Sequence, residues 1–242
     1  MKLATYLVSI DTLPIYPYVV IPPKVRPYHF ERVKVKSVNS PEQDSVNVSS
    51  VSQEPAKKFG TLASADLGVP DPSRKGREGK FDEDLVRPLR TLFDGRNDCG
   101  NQLRVENRKC VKLTKKRPVP DAILLCTSPD YRIAIAIEVD EPYYTDEKTY
   151  ETKTNHELGN ESDIDREREL ADHDWFIIRF AEEQVKYQAL ACCKFIAEFI
   201  DSLTETTQFA QIVQFKGVKS VEKVPRWTKE IAQEMMENNV RQ

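Results

Sequence analysis

The sequence lacks the features that mark membrane, secreted-scaffold and strongly nucleic-acid-coating proteins. No apolar run approaches the roughly 20 residues that a membrane-spanning helix needs. The apolar stretch after Lys2 is stopped by Asp11 without a small-residue cleavage site behind it, which predicts no signal peptide. Five cysteines (Cys99, Cys110, Cys126, Cys192 and Cys193) form no C-x-x-C pair and no Cys/His zinc spacing. An odd, scattered set of this kind suits a reduced cytoplasmic protein in which cysteine packs as a small hydrophobe. The net charge of -3 is too small to dictate a partner, and a local basic face can coexist with it. No internal repeat is visible.

What is present is an ordinary globular composition, 39% hydrophobic and 31% charged over 242 residues, enough for one domain with extensions or two small ones. Residues 1–38 hold two β-type pieces, Thr5 to Ile10 and Phe30 to Val38, around a segment broken by Pro14, Pro17, Pro22, Pro23 and Pro27. Too little apolar surface is available there for an independent core, so this stretch reads as an N-terminal appendage, either separate or docked on the rest of the chain. Residues 39–80 turn to Ser, Pro, Gln, Gly and charge, the composition of a flexible linker.

The main module is expected over residues 81–204. Phe81, Leu85, Leu89, Leu92 and Phe93 recur at helical spacing behind an opening turn of Asp82, Glu83 and Asp84, with Pro88 predicting a bend or a later start. A strand pattern comes next, between Gln102 and Leu113, then a basic run of Lys112, Lys115, Lys116 and Arg117. Alone, such a run reads as a solvated loop. Immediately before an acid-led strand it also reads as a phosphate-contacting strip.

The sequence centres on Arg132 to Asp140, R-I-A-I-A-I-E-V-D. Its alternation predicts a half-buried strand with Ile133, Ile135, Ile137 and Val139 on one face and Ala134, Ala136, Glu138 and Asp140 on the other. Carboxylates two residues apart on a strand lie about 6.5–7 Å apart along it, close enough to address one metal site. The preceding strand, D-A-I-L-L-C, opens with Asp121 and is joined by the turn Thr127-Ser128-Pro129-Asp130. In an antiparallel hairpin centred there, partner numbers sum to a constant, and Asp121 falls opposite Glu138. Three acids then meet at the hairpin's open end.

Beyond it, residues 141–162 form a polar loop, and Asp163 to Asp172 reads as a charged helix. Trp175 to Phe180 reads as a buried strand completing a βαβ unit, and Leu190 to Leu203 as an apolar-faced helix. The tail, residues 205–242, predicts a strand over Phe209 to Phe215. A final helix capped by Thr228 is expected after it, docking through Trp227, Ile231 and Met235 on the domain or on a partner.

This order of helix, three strands, helix, strand, helix resembles the PD-(D/E)XK nuclease superfamily, with Pro120-Asp121 as the P-D and Glu138-Val139-Asp140 in the place of (D/E)-X-K. A closer likeness is to the branch near very-short-patch-repair endonucleases: E-x-D at Glu138 and Asp140, D-x-x-R-x-x-x-L at Asp163, Arg166 and Leu170, and R-F at Arg179 and Phe180. The resemblance spans about residues 81–203. It implies an α/β, restriction-endonuclease-like core with a four-stranded mixed sheet, and a Mg²⁺- or Mn²⁺-dependent endonuclease acting on DNA, with RNA as an open alternative.

On that resemblance Asp121 and Glu138 are the expected metal ligands. Asp140 completes the site or orients a ligand or water, and Glu83, or less securely Asp82, holds an outer water. Lys115, Lys116, Arg117 and Arg166 are expected to contact nucleic acid, Arg166 alternatively forming an ion pair as Arg179 does. Asp140 stands where the superfamily has lysine, so the water-activating group would be the metal alone or a loop lysine, Lys148 or Lys153. Against the nuclease stand a silent nuclease fold serving as a nucleic-acid-binding or assembly module, and an interaction protein whose acids are a solvated strand end. Protein partners would use the N-terminal segment or the C-terminal helix.

Overall fold

The strand Arg132–Asp140 (β8) lies inside a sheet, and its apolar alternation serves two cores rather than one. Ile133, Ile135, Ile137 and Val139 enter the larger core, while Ala134 and Ala136 enter a second one with Ile123, Leu170, Trp175 and Ile177. The expected half-buried strand is therefore buried on both faces, because helices cover both sides of the sheet. The computed structural model describes residues 15–23, 67–68, 79–98, 101–107, 109–113, 117–128, 132–146, 149–204 and 206–240. The expected strands at Thr5 to Ile10 and Phe30 to Val38, most of the 39–80 linker, and Lys115, Lys116 and Lys148 lie outside those residues.

Two strands near the N-terminus, β1 (Ile15–Tyr16) and β2 (Tyr18–Val20), come from the proline-broken segment, and β3 (Leu67–Gly68) from the linker-like stretch. The helix α1 (Asp82–Phe93) runs unbroken past Pro88. Then come β4 (Asn97–Asp98), β5 (Asn101–Asn107), β6 (Cys110–Val111), β7 (Ala122–Thr127), β8, β9 (Tyr143–Thr145), β10 (Thr152–Thr154), α2 (Glu161–Asp172), β11 (Phe176–Ala181), α3 (Glu182–Thr204), β12 (Val224–Pro225) and α4 (Lys229–Glu237). The main sheet runs β2-β11-β8-β7-β5, extended at one edge by the two-residue β4. Among the described residues only β11 and β8 pair in parallel. This corrects the expected four strands: Tyr18–Val20 adds a fifth by pairing antiparallel with Ile177, Ile178 and Arg179.

The hairpin arithmetic holds. Ala122 pairs with Ile137 and Thr127 with Arg132, so Asp121, one step beyond the last pair, faces Glu138. On one face α1 and α3 pack through Leu85, Leu89, Cys193, Ile196 and Ile200; on the other α2 packs through Leu170 and Ala171. Burial pushes the Cys126 and Cys193 thiols up to about 12, consistent with packing rather than reactivity.

Three further expectations are corrected. The long loop after β8 contains the β9–β10 hairpin. Residues 209–215 are turns and a short 3-10 helix rather than a strand, because Asp201 accepts the amides of Phe209 and Ala210 and leaves them no need of a strand partner. In α4 the buried residue is Ala232 (0% exposed), whereas Ile231 is 42% exposed; the docking face is rotated from the expected one. Thr228 does cap the helix, accepting from the Ile231 amide.

Candidate functional site

The row Tyr18, Arg179, Glu138, with Asp121 one step further on, crosses four adjacent strands at the level where β8 nears its end. Parallel pairing with β8 brings Arg179 level with Glu138, and its side chain reaches Asp140 instead. Nε donates to Asp140 Oδ2 at 2.8 Å and Nη2 to Oδ1 at 2.7 Å, a bidentate fork. Nη1 donates to Glu167 Oε1 at 2.8 Å, and Nη2 lies 3.3 Å from Asp163 Oδ2. Glu167 and Asp163 come from one face of α2, four residues apart. Tyr16 donates its hydroxyl to Asp140 Oδ2 at 2.7 Å, and Tyr18 reaches Glu167 at 3.5 Å.

His156, on the loop leading into α2, places Nδ1 2.8 Å from Asp163 Oδ2 and 2.9 Å from Arg179 Nη2. Burial by itself would raise Asp140, but the charges of Arg179 and His156 and the hydrogen bonds from Arg179 and Tyr16 hold it below the ordinary carboxylate range. Asp163 is likewise held low, burial being overcome by His156, Arg179 and Arg166. The same acids keep Arg179 charged despite full burial. Asp140 is thus engaged on both oxygens as the counter-ion of Arg179. It is not displayed as an open ligand, and Arg179 is the ion-pair former that its position suggested.

The second acidic group behaves in the opposite way. Asp121 accepts the Val139 amide on Oδ2 at 2.7 Å. Burial, with Glu138 and Asp82 nearby, pushes its carboxyl well above the ordinary range, the Val139 amide and Arg166 opposing. Glu138 is also raised, by burial and by Asp140, against the pull of Arg166 and Arg179. Arg166 Nη2 sits 2.8 Å from Glu138 Oε2, a close ion pair outside hydrogen-bond geometry, and Glu138 Oε1 is buried with no hydrogen-bond partner among the described residues. These are carboxylates brought together and incompletely neutralised, the pattern found at functional sites.

The acid that α1 turns inward is Asp82, buried, with Oδ2 accepting the Gly79 amide at 2.7 Å; Glu83 points to solvent. Its Oδ1 would lie 2.3 Å from a Cβ at position 79, so the tight approach of Gly79 is part of how Asp82 is held. Glu141, beside it, accepts the Lys80 amide at 3.2 Å. Arg117 is exposed. His156, Glu167 and Tyr16 are members of the network that sequence patterns did not single out. Glu167 lies one helical turn from Asp163 and could have been read as sharing its face; His156 and Tyr16 carried no such signal.

Among the described residues, no group of three or more His, Cys, Asp or Glu side chains is arranged to hold a metal ion. The donor chemistry nonetheless fits a hard divalent cation. Mg²⁺ binds through one or two carboxylates while keeping several waters, and the unbonded Glu138 Oε1 beside Asp121 is such a pair. No helix among the described residues is long and apolar enough to cross a membrane. Comparison of the chain with protein-family models, with curated proteins and with solved structures finds no match.

Proposed function

We propose that the chain is a metal-dependent nuclease of the PD-(D/E)XK type, hydrolysing phosphodiester bonds in DNA with Mg²⁺ or Mn²⁺, on a restriction-endonuclease-like core. The observation that carries this reading is the cluster of Asp121, Glu138 and Asp82, in which burial first, and then the charges of Glu138 and Asp82, raise Asp121, while one Glu138 oxygen is buried without a hydrogen bond among the described residues. Asp121 and Glu138 would hold the ion, which when bound polarises the phosphate and lowers the pKa of a coordinated water. Val139 fixes Asp121 through its amide. Arg166 lies 2.8 Å from one Glu138 oxygen and would transfer to a phosphate oxygen when substrate arrives. The Asp140–Arg179 pair positions β8 against β11 and α2 without touching substrate.

A second reading, a catalytically inactive nuclease fold that binds nucleic acid or serves in assembly, draws on the same Arg166–Glu138 contact, since a permanent ion pair there would occupy the ligand. Cleavage of plasmid and single-stranded DNA with Mg²⁺ or Mn²⁺ separates the two, with Asp121→Ala and Glu138→Ala as controls. Metal-dependent cutting lost in both variants supports the nuclease. Salt-sensitive binding without cutting under any metal supports the second reading.

A further inference from the structure

Arg226, three residues before α4, is 8% exposed and, among the described residues, has none of the counter-ions that surround Arg179. Its guanidinium carbon lies 5.6 Å from the centre of the Tyr16 ring and 4.9 Å from that of Tyr18. Its Nε is buried with no hydrogen-bond partner among those residues. The carboxylates next to those two tyrosines, Asp140 and Glu167, are committed to Arg179 at 2.7–2.8 Å. A guanidinium does not shed its proton to escape burial, so an unbonded Nε enclosed beside two aromatic rings is short of an acceptor, which an anion entering at the residue's exposed edge would supply. The geometry required is bidentate and planar, which matches a tetrahedral phosphate or a carboxylate.

Tyr18 gives the position of this cation. It is in register with Arg179, which is in register with Glu138, so Tyr18 and Glu138 are two strand spacings apart, about 10 Å. That separation, measured between backbones, sets Tyr18 apart from the reacting bond. We propose that Arg226 is a phosphate-binding residue, taking a backbone phosphate of a nucleic-acid strand beside the Asp121–Glu138 site with its Nε and one Nη. The proposal rests on the nucleic-acid-binding part of that reading, not on cleavage, for its ligand. The tyrosines hold the guanidinium flat and supply no counter-charge.

The test is binding, read separately from cleavage. Wild type, Arg226→Met and Arg226→Lys are titrated, without divalent metal, against a short fluorescent oligonucleotide, single- and double-stranded, across a range of salt. Thermal midpoints check folding. The expected result is an affinity loss of about tenfold or more in Arg226→Met, with the log–log salt slope smaller by about one. Arg226→Lys should keep most of the slope and lose part of the affinity. Unchanged affinity and slope in folded Arg226→Met overturns the proposal, as does a wild type that binds no oligonucleotide. Should Arg226→Met not fold, unchanged affinity in Arg226→Lys overturns it. Inorganic phosphate is the third arm. A phosphate-induced rise in midpoint that needs Arg226, without an Arg226-dependent oligonucleotide slope, assigns the site to a free anion and also overturns it. Cleavage by wild type and Glu138→Gln is scored in parallel. Arg226-dependent binding without cutting retires the nuclease reading and leaves the proposal standing; Glu138-dependent cutting with Arg226-independent binding does the reverse.

Discussion

Two acids at neighbouring β8 positions of the same parity, Glu138 and Asp140, have opposite electrostatic fates, and the difference is the hydrogen bonds that Arg179 and Tyr16 make to Asp140 alone. Asp140 receives the full fork of Arg179 and is held low; Glu138 receives one off-axis contact from Arg166 and is raised. Arg179→Met leaves Asp140, Asp163 and Glu167 buried without their cation. The expected cost is about 3–5 kcal/mol by urea denaturation at neutral pH, as for other broken buried ion pairs. Asp140 and Asp163 have folded values below their unfolded ones, so their contribution is present above the unfolded carboxylate value of about 3.9 and is lost as pH falls through the folded values. The Arg179→Met penalty therefore shrinks in acid. Asp121 has the opposite sign. Its folded value is raised, so the stability it contributes is present at low pH and lost as pH rises through that value. Asp121→Asn keeps an oxygen for the Val139 amide and removes the charge. It should stabilise the metal-free protein by about 0.5–2 kcal/mol at pH 8, with no gain below about pH 4. Equal gain at both pH values would mean that charge repulsion is not its source.

At the scale of elements, the β7–β8 hairpin was legible because its evidence is local: alternation fixes the strands, the turn fixes the centre, and the sum of partner numbers fixes the register. The register put Asp121 against Glu138, where the structure has it. The edge strand Tyr18–Val20 was not legible, since three residues among prolines carry no periodicity and their partner lies more than 150 residues away. The same reason hides Tyr16 and His156, which reach the Arg179 network across tertiary contacts. Glu83 is expected ahead of Asp82 from the sequence, but helical phase ranks them the other way: Asp82 lies three residues before Leu85 and seven before Leu89, on the buried face, where the Gly79 amide holds it, and Glu83 is turned to solvent. Phe209 to Phe215 was misread as a strand because two buried phenylalanines six apart fit alternation as well as they fit turns. That segment gives a test: Asp201, buried, accepts from Thr206, Phe209 and Ala210. Asp201→Ala strands two backbone amides and should cost about 1–3 kcal/mol. The loss should be read by hydrogen exchange as faster exchange at residues 206–215 with β8 unaffected. By contrast Asn160→Ala, which removes the cap of α2 from the Asp163 amide, should cost about 1 kcal/mol and loosen the helix carrying Asp163, Arg166 and Glu167.

On the scale of the whole molecule, the two ends of the described chain close on each other beside the Arg179 network. Ile15 and Tyr16 pair with Pro225 and Val224, and Tyr16 meets Trp227 at 5.2 Å between ring centres. Trp227 donates its indole N–H to the Asn155 carbonyl at 3.1 Å, and its own carbonyl accepts the Leu158 amide at 3.0 Å. One tryptophan thereby joins the N-terminal strand, the loop that presents His156, and the helix α4. Because Tyr16 also bonds Asp140, the closure reaches the centre of the sheet. Trp227→Ala should cost about 3–5 kcal/mol, the range for a buried aromatic truncated to a methyl group. The decisive reading is where the loss appears. Exchange should accelerate together at residues 15–20, at 152–158 and in α4, while β7 and α3 keep their protection, because these elements share Trp227 and the others do not. If exchange rises only in α4, the terminal segments are independent dockings and Tyr16 is held by Asp140 alone. If it rises across the sheet as well, the closure is part of the global folding unit, and the edge strand Tyr18–Val20 depends on the C-terminal helix for its place beside β11.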